Sequence, residues 1–309
     1  MQLQLLATKC PGPPRSTANA LEHLLDEGIT WGDSLDWLPL LPRKSVDLFF
    51  TSPPYADARA YSRIHPDHYV DWFIDFARPM LAATSDTGWF VLNIKNRVAK
   101  SGPLRGQRHP YVYELVLALQ HMGWRWIETY IWSKPNSIPG RFGPRTKDAF
   151  EYVYAFAAGP KPHFDLEAIR VSYKTSSDEI DRRMLDQNGR RNTEAGFGRD
   201  RTKTYSKGGA DPGNVVSVPQ TYNQHYGPAG EHTAVMPEGL AEFFIKACCP
   251  EGGVVIDPFA GSATTSVVSR RFGRRAGGLD VHAEHVEVGR ARIAAGIAQT
   301  DPGVLRVAI

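Results

Sequence analysis

Five residues, Thr51-Ser52-Pro53-Pro54-Tyr55, stand directly after the apolar run SVDLFF at 45–50 and combine hydroxyl, proline and aromatic chemistry. Two prolines in a row fix φ and stop the helix that would otherwise follow, so the backbone is held rigid. Such a turn suits a planar amine. The Ser52 hydroxyl and the Pro53 carbonyl can each accept one amine hydrogen while Tyr55 stacks on the ring. Ser52 need not be a nucleophile. Taken alone, Ser-Pro-Pro-Tyr reads as a turn or an exposed polyproline segment. At a strand's carboxyl end in an open α/β sheet, it stands where ligands bind.

A second loop, Asp257-Pro258-Phe259-Ala260-Gly261-Ser262-Ala263-Thr264-Thr265, joins the apolar run 253–257 to a helical pattern. It resembles a dinucleotide-type glycine loop without the full G-x-G-x-x-G, and it lacks the G-K-[ST] of a P-loop. No cation is placed to hold a triphosphate, which argues against an ATPase. Asp280 closes the next strand in GGLD, twenty-three residues after Asp257. A carboxylate at that position accepts the two hydroxyl hydrogens of a ribose. Loop and acid together point to an adenosine-containing ligand without a pyrophosphate. A lone Asp-Pro-Phe-x-Gly would merely cap a helix.

These loops must be held by regular elements, and the apolar pattern supplies them. Strand-like runs at 45–50, 88–94, 124–132, 150–157, 253–257 and 275–280, of which 45–50 and 253–257 are short and β-branched or aromatic, alternate with helical patterns at 67–83, 111–123, 237–249, 261–272 and 282–298. Within 67–83, Tyr69, Trp72, Phe73, Phe76 and Met80 recur at three- and four-residue steps, one buried helix face. Alternation of this kind predicts an α/β fold with a mostly parallel sheet. The pattern fails from about 165 to 230. Within 182–207, Arg182, Arg183, Arg190, Arg191, Arg199, Arg201, Lys203 and Lys207 face only Asp186, Glu194 and Asp200, with Phe197 and Tyr205 interleaved. That surplus reads either as a solvated loop or as an insert that neutralises phosphates and supplies stacking rings.

Composition bounds the rest. The 309 residues are 42% apolar and 22% charged with a net charge of +3, which fits a globular domain with an insert. It is neither a coiled coil nor a collagen-like repeat. No window approaches ~18 uninterrupted apolar residues, so no membrane span is expected. The N-terminal MQLQLLATKCPGPPRS lacks the basic flank of a cleaved signal. Cys10, Cys248 and Cys249 show no C-x-x-C or His-spaced metal pattern, so no metal is expected, and reduced thiols in a cytosol are. His65, His68, His109 and His121 are scattered and read as structural, as Asp67 and Asp71 read as a solvated face. Asn93 and Lys95, ending the strand that follows 45–50, are weaker candidates for lining the site.

Five segments in order resemble the DNA amino-methyltransferases that use S-adenosylmethionine, in the group whose catalytic motif precedes its cofactor motif. They are GDSLDWLPLLPRKSVDLFFTSPPY, IWSKPNSIPGR, FEYVYAFA, EHTAVMPEGL and CCPEGGVVIDPFAGSATTS, and the likeness runs from about 31 to 298. It implies a Rossmann-like methyltransferase sheet with helices on both faces, interrupted by a basic target-recognition insert. The implied division is an N-terminal extension (1–30), a catalytic half (31–164), the insert (165–230) and a cofactor half (231–309).

Carried over residue by residue, the resemblance makes Ser52, Pro53, Pro54 and Tyr55 the catalytic loop. It assigns Asp257, Phe259, Gly261 and Ser262 to the cofactor loop, Asp280 to the ribose and Asp33 to the adenine side. Arg182, Arg183, Arg190, Arg191, Arg199, Arg201 and Lys203 would meet double-stranded DNA. Ala263 departs from the pattern, since family members usually carry Gly there; alanine is tolerable if its φ is negative. Family members with Ser first in the loop mostly methylate cytosine N4, and those with Asp first mostly adenine N6. The implied activity is therefore methylation of the N4 amine of a flipped cytosine in a prokaryotic or phage-infected cytosol, alone or beside a cognate restriction endonuclease. Adenine N6 methylation, a DNA-binding relative without catalysis, and a small-molecule or protein methyltransferase stand as the alternatives.

Overall fold

The computed structural model describes residues 10–13, 17–56, 64–99, 102–137, 143–172, 209–221 and 235–296. Among these, eight strands form one sheet: β1 (Thr30–Trp31), β2 (Val46–Thr51), β3 (Thr84–Ile94), β4 (Arg125–Ser133), β5 (Phe150–Ala157), β6 (Val215–Ser217), β7 (Val254–Asp257) and β8 (Arg275–Asp280). Their order is β1-β8-β7-β2-β3-β5-β4-β6. Every pairing is parallel except those of β5, which runs antiparallel to both β3 and β4. The sheet is thus mostly parallel and mixed, with one reversed strand. The reversal has a consequence for the site. It brings the first residues of β5 to the edge where the other strands end.

Seven helices flank the sheet among the described residues: α1 (Thr17–Glu27), α2 (Ser34–Trp37), α3 (Pro66–Ala83), α4 (Tyr111–Met122), α5 (Glu238–Cys248), α6 (Thr264–Arg271) and α7 (Ala283–Ala294). Helix α3 begins with Pro66 at its first turn, where a missing N–H costs nothing, and the His65 side chain accepts from Asp67 N. Its Tyr69, Phe73, Phe76 and Met80 are buried, each contributing about 1.5–3 kcal/mol by removal from water. These residues share a core with Leu24 of α1, Leu115 of α4 and Phe49 and Phe90 of the sheet. On the other face, Phe243 and Phe244 of α5 and Val268 of α6 pack on Leu48, Phe50 and Val255. Both faces are covered, as near-continuous apolar strands require.

Most elements lie where periodicity puts them, with shifts at their ends. Strand β3 begins at Thr84 rather than 88, with Thr84 paired to Val46 and a register shift before Leu48. Helix α6 starts at Thr264 rather than 261, because Gly261 and Ala263 take positive φ in the preceding loop. Within the stretch 165–230, two described pieces join the core. Ile169 is buried, and β6 extends the sheet beside β4 with Val216 and Val218 buried.

Candidate active site

Strands β2 and β7 are neighbours, with Leu48 opposite Val255 and Phe49 opposite Ile256. From β2 the chain builds outward through β3, and from β7 it builds the opposite way through β8. The carboxyl ends of β2 and β7 therefore sit at the switch point of the sheet, the crevice in which such folds bind ligands. Both candidate loops emerge there. One cavity of about 890 Å³ is lined by Asp33, Ser52, Pro53, Pro54, Tyr55, Asp257, Phe259, Gly261, Ser262 and Asp280. All ten residues expected to bind the amine or the cofactor thus meet in one space, across more than 240 residues of sequence.

Asp257 ties the two loops together. Its Oδ1 accepts from Thr51 Oγ1 at 2.6 Å and from Phe259 N at 3.0 Å, and its Oδ2 from Thr265 Oγ1 at 2.7 Å. Burial pushes its carboxyl up to about 6, against the pull of these donors. Asp280 behaves oppositely. Its Oδ2 accepts from Gly261 N at 3.0 Å, and its Oδ1 accepts from His282 N at 2.9 Å and lies 3.1 Å from His285 Nδ1. Burial would raise its pKa, but the hydrogen bond and charge of His285 together with the His282 N–H hold it below the usual carboxylate range. Gly278 lets the glycine loop press onto β8: a Cβ there would sit 2.5 Å from Ala260 Cβ.

The remaining residues of this side are held from behind. Asp33 caps α2, its Oδ1 accepting from Leu35 N at 2.9 Å, and Ser34 Oγ donates to Pro258 O at 2.6 Å. Phe259 packs against Phe76 and Trp72, with ring centroids 4.9 and 5.6 Å away. Ser262 is engaged by buried Arg292, whose Nη1 donates to Ser262 O at 2.6 Å and to Ser262 Oγ at 3.0 Å. Ala263 corrects an expectation: its φ is +62°, in the left-handed region, where alanine is strained by roughly 1–3 kcal/mol. Its methyl is fully buried beside Gly289, where a Cβ would lie 2.9 Å from the Ala263 Cβ. The missing side chain at 289 is what makes room for the alanine.

On the side of the proline loop, Tyr69 Oη donates to Pro54 O at 2.9 Å and fixes the turn against α3. Ser52 Oγ lies 3.1 Å from Tyr55 Oη, which donates to Glu151 Oε2 at 2.7 Å. Asn93 Nδ2 donates to the same oxygen at 3.3 Å. Lys134 Nζ ion-pairs with Glu151 Oε1. The two charged side chains are only 2% and 8% exposed. Burial pushes Tyr55 well above its ordinary range, and the Glu151 charge adds to this, so the phenol keeps its proton. Burial also lowers Lys134, opposed by Glu151. Sequence reading misses Lys134 and Glu151. Their signal is a charge embedded in the aromatic runs IWSK and FEYVYAFA.

Basic side chains line part of the cavity. Lys95, Arg97 and Arg145 line it, and Asp148 pairs with Lys95 at 3.2 Å and with Arg108. No acid occurs between Thr87 and Tyr113, whereas Lys95, Arg97, Lys100, Arg105 and Arg108 do. This run is denser than the one expected to meet DNA, although its sequence reads as a strand-to-helix connection. Arg182, Arg183, Arg190, Arg191, Arg199, Arg201 and Lys203 lie outside the described residues. Among the described residues, no group of three or more His, Cys, Asp and Glu is placed to hold a metal ion, and no helix is long and apolar enough to cross a membrane. His109 is structural: its Nε2 lies 2.8 Å from Asp67 Oδ1, and its Nδ1 accepts from Tyr111 N at 3.1 Å.

Known proteins share this arrangement. The DNA methylase family model for N6 and N4 enzymes matches residues 46–291. The Type II methyltransferase M.PvuII of Proteus hauseri is 28% identical over 273 residues, 82% of this chain and 80% of that protein. The DNA adenine methyltransferase YhdJ of Escherichia coli (strain K12) is 24% identical over 276 residues, 86% and 82% of the two chains. Among solved structures, PvuII DNA methyltransferase (cytosine-N4-specific) superposes with a TM-score of 0.64 at 24% identity, covering 85% of each chain. A DNA modification methylase of Thermus thermophilus, complexed with S-adenosyl-L-methionine, gives a TM-score of 0.56 at 20% identity, covering 88% of this chain and 94% of that one. The likeness to these structures carries the Rossmann-like methyltransferase fold, and the family match spans both loops and the strands that position them. The chain belongs to the N6/N4 DNA methylase family.

Proposed function

We propose that this chain transfers a methyl group from S-adenosylmethionine to the N4 amine of a cytosine flipped out of double-stranded DNA. The observation that carries the reading is the convergence of Ser52-Pro53-Pro54-Tyr55 with Phe259, Gly261 and Asp280 on one cavity. The donor set fits the cofactor: a carboxylate at the end of β8 for a ribose, a glycine turn without cations, and the Phe259 ring for an apolar wall. When bound, S-adenosylmethionine supplies an electrophilic methyl group.

The chain's residues then prepare the acceptor. A cytosine amine is conjugated and a poor nucleophile. Accepting its two hydrogens at Ser52 Oγ and the Pro53 carbonyl draws the nitrogen toward tetrahedral geometry and exposes its lone pair. These acceptors are preorganised toward charge that develops on the amine, and the proline turn fixes their positions. Tyr55 replaces the stacking that the base loses on flipping. Lys95, Arg97 and Arg145 in the cavity lining support a polyanionic substrate, adding to the charge surplus of the insert. The Type II names of the relatives support a cognate restriction endonuclease as a partner in the same system. Ser at the head of the loop, and the cytosine-N4 name of the PvuII structure, support the choice of base.

Ser52→Ala removes one acceptor and leaves the carbonyl. Turnover on DNA is expected to fall by roughly 10²–10³-fold while S-adenosylmethionine binding, measured by calorimetry, stays within about twofold. Wild-type turnover in that variant would remove Ser52 from the chemistry.

A further inference from the structure

Methylation of a neutral amine leaves one proton to be disposed of, and the turn that accepts it has no obvious base. Ser52 Oγ is 3.1 Å from Tyr55 Oη, and Tyr55 Oη is 2.7 Å from Glu151 Oε2. Glu151 is in turn held by Lys134 Nζ and by Asn93 Nδ2. A phenol has one proton to donate, and the carboxylate is a closer and stronger acceptor for it than Asn93 Oδ1 at 3.2 Å. With that proton committed to the carboxylate, the Tyr55 oxygen can accept the Ser52 hydroxyl hydrogen, so the Ser52 lone pairs turn toward the cavity. The whole chain of donors runs one way, from the cavity to a buried carboxylate. A buried Lys–Glu pair is a poor device for stability, because the desolvation of both ions offsets their attraction. Its place directly behind the catalytic turn calls for another explanation.

We propose that Ser52, Tyr55 and Glu151 form a proton relay, with Lys134 holding Glu151 in register. The relay rests on the proposed amine methylation and deepens it. As the methyl carbon exchanges its bond to sulfur for one to the amine nitrogen, an amine proton passes to Ser52 Oγ. The Ser52 proton passes to Tyr55 Oη, and the Tyr55 proton passes to Glu151. The balance is a neutral methylated amine, a neutral sulfide, Ser52 and Tyr55 restored, and Glu151 as a carboxylic acid beside the Lys134 ammonium. Glu151 regains its charge by releasing that proton after product leaves. Glu151 and Lys134 act through Tyr55 and Ser52 and are positioning residues for the reaction. The antiparallel course of β5 is what brings Glu151 to this end of the sheet.

Tyr55→Phe breaks the chain while keeping the stacking ring, and Glu151→Gln keeps an acceptor for the phenol while removing the base. Single-turnover methylation of duplex DNA with labelled S-adenosylmethionine should slow by roughly 10²-fold in each. KM for DNA and calorimetric S-adenosylmethionine binding should stay near wild type, which a merely unfolded or misplaced loop would not allow. The double variant should be no slower than the slower single one, since both remove one unit. If Glu151→Gln fails to fold, Glu151→Gln combined with Lys134→Met supplies a neutral pair and should show the same rate loss. Wild-type rates in Tyr55→Phe, or losses that multiply in the double variant, would overturn the relay and leave the methylation reading intact. A wild-type protein that binds S-adenosylmethionine but methylates no DNA would overturn both.

Discussion

Asp257→Asn isolates the strained charge at the junction of the two loops. The native carboxyl titrates near about 6 because it is fully enclosed, with Thr51, Thr265 and the Phe259 N–H as its donors. In an unfolded chain an aspartate titrates near about 4. Below about pH 4 both states hold the proton and Asp257 stabilises the fold through its hydrogen bonds. As pH climbs through about 6 the unfolded state ionises first, and the native state loses up to about 3 kcal/mol. Asparagine mimics the protonated form: its oxygen serves Thr51 and Phe259 N, and its amide donates to a reoriented Thr265 hydroxyl. Urea unfolding followed by tryptophan fluorescence should give the variant a stability advantage that grows by about 2 kcal/mol between about pH 4.5 and about pH 8. The difference between the two proteins cancels the opposing trends of Asp67, Asp148 and Asp280, whose pKa values are lowered. A difference that does not change with pH would mean that Asp257 titrates as an ordinary carboxylate, and the enclosed-charge reasoning would fail.

Two further outcomes follow from the geometry. The space between Ala263 and Gly289 holds one methyl, so Gly289→Ala should cost about 1–3 kcal/mol by overpacking. Ala263→Gly should lie within about 1 kcal/mol of wild type, because relief of the left-handed alanine offsets the lost methyl and the freer unfolded chain. Combining them should recover part of the Gly289→Ala loss in urea unfolding, since Ile29 Cδ1 at 3.0 Å still crowds the new methyl; additive losses would mean the two positions do not share that space. In the basic run 95–108, exposed Arg105→Ala should reduce the slope of log affinity against log salt for duplex DNA by about 0.9, and an unchanged slope would mean that this run does not meet DNA.

What the sequence makes legible follows from how directly each feature is encoded. The two loops announce themselves because prolines and glycines interrupt apolar runs at strand ends, and only their meeting in one cavity needs the fold. Strand 150–157 is found to the residue because its aromatic run gives way to Ala-Gly-Pro. Strand β6 has three residues inside a polar stretch, too few for any period, and exists by pairing with β4. The left-handed φ of Ala263 leaves no trace in its own residue type; its permission is written at Gly289, twenty-six residues away. Lys134 and Glu151 are single charges within aromatic runs, and nothing in their local pattern singles them out. The end of β4 and the reversal of β5 bring them together beneath Tyr55, a long-range fact that local patterning does not carry.

The identity of the methylated atom decides between cytosine N4 and adenine N6. Purified protein, labelled S-adenosylmethionine and mixed-sequence duplex DNA, followed by nucleoside mass analysis, test it directly. Label in N4-methylcytosine is the expected result. Label in N6-methyladenine would keep the fold and family and overturn the role drawn from Ser52 in choosing the base.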